Sequence, residues 1–511
     1  MGWTRRAFLA RGGATAAGVL ALGTAACSSD DSKADDDEPD RDDSGGGGGE
    51  PKVDPTPGDG VNDALLPTAA AIFANIEEVF GHGIRRPGYE ADIWAEGWLV
   101  DKFKELGLEN VRLEPVPVKR YESLSWSFEV TPSTGGPREI ECFPVPFTVP
   151  TENLELDLVA YDAANPGAVK DKASLYDVGF LNVPADIFVP AVDRDQRIHD
   201  PDGDLTETHA LPFGAKLGED VEPSIEAGAA AFIGVLDGYP TDTSDYYVPY
   251  HGRTLDIPGV WLKASDGAWL HEQLAAGPVR IKLTVDSTNE DFESHNVVGE
   301  LPGADDDMVI IGSHHDGPWA SAVEDGSGIS LVLAQAEYWA AVPEADRPHK
   351  LVFLLHGGHM SGGAGLHKYI EDHEDELDKV VLEFHLEHAC LEFVQEGASV
   401  ASAGRPTPRW FFASEIPRLK EALLEALVAE DLRRSMILPP DAIGDQPPTD
   451  GGYYWNAGVP IVNFLAAPWY LFDKQDTLDK IDKDSLLPLT RATIRVVEST
   501  KGVSAAAMRE T

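Results

Sequence analysis

Between residues 89 and 108 the apolar side chains Ile93, Trp94, Trp98, Leu99, Phe103 and Leu106 recur at the three-to-four spacing of one helix face. Gly107 stands where such a helix would stop. The pattern then shortens, and residues 111–113 and 126–130 read as strands. Residues 146–290 have another texture, rich in Asp, Pro and Gly with short apolar runs. Within them, 227–235 reads as a small-residue helix end entering a buried strand, and 257–262 as a further strand. From Ser294 onward apolar strands at 308–313, 351–355, Val380–Leu386 and 460–465 alternate with helical stretches at 327–342, 362–372 and Pro417–Ala429. This alternation predicts an α/β fold with a mostly parallel sheet flanked by helices, and ligands at the carboxyl ends of its strands.

The 511 residues suggest two or three domains. With 88 acidic and 40 basic residues the net charge is −48. That excludes a nucleic-acid partner, whose phosphates need a basic footprint, and it disfavours direct adhesion to anionic lipid. The chain opens on Thr4-Arg5-Arg6-Ala7-Phe8-Leu9, a twin-arginine export signal. The apolar run after it is short and rich in Ala and Gly, a poor membrane span, and ends at Thr24-Ala25-Ala26-Cys27. This resembles a lipoprotein processing site, so Cys27 is the expected lipidation point and the expected location is extracytoplasmic, anchored to the membrane by lipid alone. Residues 28–61 are acidic and Gly-rich and read as a disordered linker. Cys142 and Cys390 read as small buried side chains, not a disulfide framework.

Four stretches gather unusual chemistry at predicted strand ends and helix starts. They are Gly312-Ser313-His314-His315-Asp316, Ser321-Ala322-Val323-Glu324-Asp325-Gly326-Ser327-Gly328, His356-Gly357-Gly358-His359-Met360 and His385-Leu386-Glu387-His388. Several histidines at consecutive strand ends, with carboxylates between them, point to a metal or acid–base site.

In this order the four stretches resemble the zinc-dependent aminopeptidase superfamily that also includes glutaminyl cyclases. His314 and Asp316 match its G-A-H-Y-D motif, and Glu324 takes the place of the aspartate that bridges two metals. Gly358 to Tyr369 fits G-E-E-x-G-x-x-G-S-x-x-Y, with His359 in place of the general base and Met360 in place of a ligand of the second metal. His385 stands at the L-D-M position, Asp450 in the S-D-H motif, and Asp476-Thr477-Leu478-Asp479 in the late D-T-x-D motif, where the second metal's histidine has become Phe472.

The resemblance implies an exported metallopeptidase-like hydrolase of peptide or other amide bonds. Its metal ligands would be His314, Glu324 and His385. His359 would serve as catalytic base or as a fourth ligand that closes the site, and Asp316 would orient His314. Glu387, His388, Asp325 and Asp450 would be supporting or substrate-contacting residues. Two imidazoles and one carboxylate imply one zinc ion, with iron(II) as the alternative metal. The alternative function is an inactive binding protein on a peptidase scaffold. The expected organisation is a signal (1–27), the linker (28–61), a discontinuous zinc-peptidase-like α/β domain (62–145 and 291–499), a β-rich insert resembling a protease-associated domain (146–290) and a tail (500–511).

Overall fold

In the computed structural model, which describes residues 60–510 apart from 190–195 and 398, strand Met308–His314 is buried along its whole length. Its unbroken apolar run requires that, since both faces must be covered. The export signal, Cys27 and the linker up to residue 59 lie outside the described residues. Strand Met308–His314 pairs in parallel with Lys350–His356 on one side and Val380–Leu386 on the other. Ile461–Leu465 continues the parallel set beside Val380–Leu386, and Arg409–Ala413 then adds antiparallel. Helix Gly328–Ala341 is buried over most of its length. Leu366, Tyr369 and Tyr454 pack with Ile310, Val352 and Leu354 in one apolar cluster. The expected α/β architecture is therefore present, and its parallel strands all end at one edge.

Helices Glu90–Glu105 and Pro417–Ala429 and strand Val380–Leu386 form where the periodicity places them. The two short strands expected at 111–113 and 126–130 are parts of one strand, Glu109–Thr131. It stays extended through its polar middle because it pairs antiparallel with Arg280–Leu301, from Arg112↔Val298 to Val130↔Ile281. Sheet hydrogen bonds supplied by the partner override weak local propensity. The long strand Arg280–Leu301 reaches roughly 70 Å at about 3.3 Å per residue. One end pairs with Lys350–His356, and the other with Thr151–Ala160.

The expected boundary at 290/291 thus falls inside a continuous strand. Thr151–Ala160, Ala173–Asp177, Ala231–Leu236 and Gly259–Lys263 form a second parallel set. It has its own core, to which Phe128, Val130, Ile281 and Leu283 also contribute. Residues 500–511, read as a tail, instead include helix Ala505–Arg509 with Met508 buried. Arg509 ties that helix down by donating to the carbonyls of Gly458 (3.1 Å) and Leu377 (2.8 Å). Cys142 and Cys390 are buried free thiols, as expected.

An arm of the 146–290 stretch packs against the far edge of the main sheet, where Leu205 and Leu211 meet Trp410, Phe412 and Met436. A charge cluster fixes it there. Glu392 accepts from Arg405 Nε (2.7 Å) and Arg434 Nη1 (2.6 Å) and faces His209 of the arm at 3.2 Å. Burial alone would raise the Glu392 carboxyl, but His209 and Arg434 outweigh it and hold it down at about 2, against an ordinary 4.5. A depressed acid contributes stability above its unfolded value, and that contribution is lost as pH falls from about 4.5 towards 2. Glu392→Gln is expected to lower stability at neutral pH by about 3 kcal/mol and to flatten the acid limb of the unfolding curve. Urea denaturation of both proteins from pH 7 to pH 3 checks this.

Candidate metal centre

His314 is the last residue of its strand, and Asp316 lies just beyond it, at the edge where the parallel strands end. Glu324 sits in the buried loop that leads into helix Gly328–Ala341. That loop is anchored from both sides. Asp476 accepts from the backbone N–H of Val323 (2.8 Å) and Glu324 (2.9 Å). Arg85 donates to the carbonyls of His315 (3.1 Å), Ala320, Ser321 (3.0 Å) and Glu324 (3.3 Å). Position 328 is glycine because a Cβ there would collide with the Asp325 carboxylate and the Leu386 carbonyl. The Asp325 carboxylate accepts from Ser313 Oγ and from Gly328 N (3.0 Å), so it closes the turn.

Hydrogen bonds on the outer side of each imidazole decide which nitrogen faces the site. His314 Nδ1 donates to the backbone carbonyl of Asp316 at 2.9 Å, which turns Nε2 inward. Burial, then the neighbouring His359, push His314 well below the usual histidine range, so it is neutral and its Nε2 lone pair is free. The Asp316 carboxylate, expected to orient His314, lies 3.8 Å from Nδ1. It accepts instead from the backbone of His359 (3.0 Å) and Met360 (2.7 Å). Orientation of His314 therefore comes from the Asp316 main chain, while the carboxylate positions the loop that carries His359. His359 Nδ1 donates to Asp450 Oδ1 at 2.8 Å, and its ring stacks on that of His314 with centroids 4.0 Å apart.

The structure brings His314, Glu324 and His359 together, with one ligand atom from each lying within 4.8 Å of the others. His314 Nε2 is 3.6 Å from Glu324 Oε1, and His359 Nε2 is 3.5 Å from the same oxygen. Ligands about 2.1 Å from a tetrahedral metal are separated by about 3.4 Å, so both pairs already stand at the edge length of a zinc shell. His314 Nε2 is buried without a hydrogen bond, while Glu324 Oε2 pairs with His388 Nε2 at 2.5 Å. An orphaned buried lone pair costs about 1–3 kcal/mol, which a cation relieves. Burial would strip His359 of its proton, but Asp450 and Glu324 outweigh it and raise the ring to about 10. A pocket negative enough to hold a proton there suits a cation in its place. The donor set fits zinc, and two imidazoles with one carboxylate also suit iron(II).

His385, expected as the third ligand, is not in this group. Its Nδ1 is 3.0 Å from Glu383 Oε1 and its Nε2 is 3.0 Å from Glu387 Oε1, the latter off hydrogen-bond alignment. Burial opposes a charge there, but the two carboxylates override it and raise His385 well above the usual range. His385 is thus held from behind by Glu383 and stands against Glu387, outside the group formed by His314, Glu324 and His359, while His359, expected as base, lies within that group. His388 donates from Nδ1 to the Ala466 carbonyl at 2.7 Å, leaving Nε2 against Glu324.

Tyr250, not among the residues singled out in the sequence, comes from the 146–290 stretch and stacks on His359 (5.3 Å) and Phe472 (5.1 Å). Phe472 also packs on Phe213, and Met360 is fully buried, so both positions are filled by apolar bulk.

Residues 296–497 match the model of peptidase family M28. Over 162 residues the chain is 32% identical to a probable leucine aminopeptidase 2 of Aspergillus oryzae. That stretch covers 30% of this chain and 29% of the relative, so the match spans under a third of the relative's length. Among solved structures, a peptidase M28 precursor from Shewanella amazonensis superposes with a TM-score of 0.66 at 19% identity. It covers 86% of this chain and 96% of its own. A zinc aminopeptidase from Bacillus subtilis gives 0.60 at 18% identity, covering 84% and 95%. The chain thus carries the fold of the M28 peptidases, with the strand-end histidines and carboxylates lying inside the segment that matches that family.

Proposed function

We propose that the protein hydrolyses peptide or other amide bonds with a single zinc ion held by His314, Glu324 and His359. One observation carries this reading: the two imidazole Nε2 atoms stand 3.5–3.6 Å from one Glu324 oxygen. When bound, zinc would lower the pKa of a water molecule and polarise the scissile carbonyl. Asp450 holds the His359 ring in place through Nδ1. Glu387 is 2% exposed, and its Oε1 has no hydrogen bond. It takes the role of proton acceptor, with His385 Nε2 behind it at 3.0 Å. Tyr250 and Phe472 form an apolar wall beside His359 where a substrate side chain would lie.

A single ion is supported by the side chains at the second metal's positions, Met360 and Phe472, neither of which suits zinc. The twin-arginine sequence and Cys27 support action outside the cytoplasm from a lipid anchor.

The test is metal analysis of protein purified without added metal, paired with hydrolysis of leucine p-nitroanilide and a set of short peptides. The expected result is close to one zinc per chain and an amidase activity that a chelator removes and zinc restores. Stoichiometric iron would reassign the metal. Absence of metal together with absence of hydrolysis would overturn the proposal.

A further inference from the structure

Arg85 and Arg86 are adjacent and both buried, yet they are satisfied very differently. Arg85 engages four backbone carbonyls. Arg86 donates from Nε to the Pro318 carbonyl at 2.7 Å, and its Nη2 is buried with no hydrogen bond. Among the described residues it makes no ion pair. Aromatic rings surround it, with Tyr247 at 4.1 Å, Trp319 at 4.7 Å, and Tyr89 and Phe143 at 5.7 and 5.8 Å.

Ring faces compensate part of a buried guanidinium's charge. They do not accept from the N–H groups at its edge, which need an oxygen or an anion. Beside Arg86 lies Tyr121, 1% exposed, whose hydroxyl has the Ser287 and Thr148 hydroxyls near it but forms no aligned hydrogen bond with either. A buried guanidinium with an unsatisfied edge and no ion pair among the described residues therefore lies near the Tyr121 hydroxyl, in a chain where acidic residues outnumber basic ones two to one. A water molecule would accept from one donor but leave the charge uncompensated.

We propose that Arg86 Nη2 and the Tyr121 hydroxyl form a binding site for one small monovalent anion, a halide or a carboxylate, walled by Tyr247 and Trp319. Pro318, which Arg86 holds, lies two residues beyond Asp316, so occupancy also steadies the loop that leads to Glu324. The proposal does not depend on the hydrolytic reading.

The test is thermal unfolding of the full chain in chloride-free Hepes, titrated separately with sodium chloride and sodium acetate at constant ionic strength. Wild type is expected to show a saturable rise of roughly 3 °C at a hundredfold excess over the dissociation constant. Arg86→Met is expected to abolish it, and Tyr121→Phe to weaken the anion affinity about tenfold. Response to chloride alone assigns a halide site, and stronger response to acetate assigns a carboxylate site. Identical salt responses in wild type and Arg86→Met overturn the proposal. Should Arg86→Met fail to fold, unchanged anion affinity in Tyr121→Phe overturns it equally.

Discussion

Glu324→Ala is expected to leave a folded protein that retains no zinc and has lost amidase activity by on the order of a thousandfold or more. The carboxylate is shared by both imidazoles through Oε1 and by His388 through Oε2. Removing it takes away the only anionic ligand and leaves three imidazoles facing one another. Metal polarisation is worth several kcal/mol of transition-state stabilisation, and each 1.36 kcal/mol is tenfold in rate. Equilibrium dialysis against zinc and steady-state rates on one peptide substrate check the result. Glu324→Gln separates charge from shape. It keeps the hydrogen-bonding outline, is expected to weaken zinc binding nearly as much, and so attributes the effect to the lost negative charge.

The second large effect divides two histidines that sequence reasoning assigned the other way round. His359→Ala is expected to weaken zinc binding by at least about a hundredfold, because it removes a ligand and strands Asp450, which His359 pairs at 2.8 Å. His385→Ala is expected to keep close to one zinc per chain while lowering turnover, because it removes the cation between Glu383 and Glu387. If His385→Ala released the metal and His359→Ala did not, the original assignment would stand.

That exchange shows where the sequence was legible and where it was not. Strand Met308–His314 was readable because its apolar run has to be covered on both faces. Helix Pro417–Ala429 was readable from its starting proline and its apolar spacing. His314 and Glu324 were placed by the spacing of two motifs on consecutive elements. His385, expected as a ligand, lies outside the group of His314, Glu324 and His359, and its surroundings had a local signal. Glu383, His385 and Glu387 alternate by two along an extended chain, and residues so spaced share a face.

Other features had no local signal at all. Tyr250 reaches His359 from the 146–290 stretch, more than a hundred residues earlier, and Arg85 secures the Glu324 loop from across the molecule. The single long strand Glu109–Thr131 was also hidden, since its polar middle is extended only by virtue of its partner strand.

The account turns on which side chains bond the metal. Anomalous diffraction at the zinc edge, from crystals of the protein purified with its native metal, tests this most directly. The predicted result is one peak, about 2.0–2.2 Å from His314 Nε2, Glu324 Oε1 and His359 Nε2. Two peaks, or one peak bonded to His385 with His359 outside its shell, would contradict it.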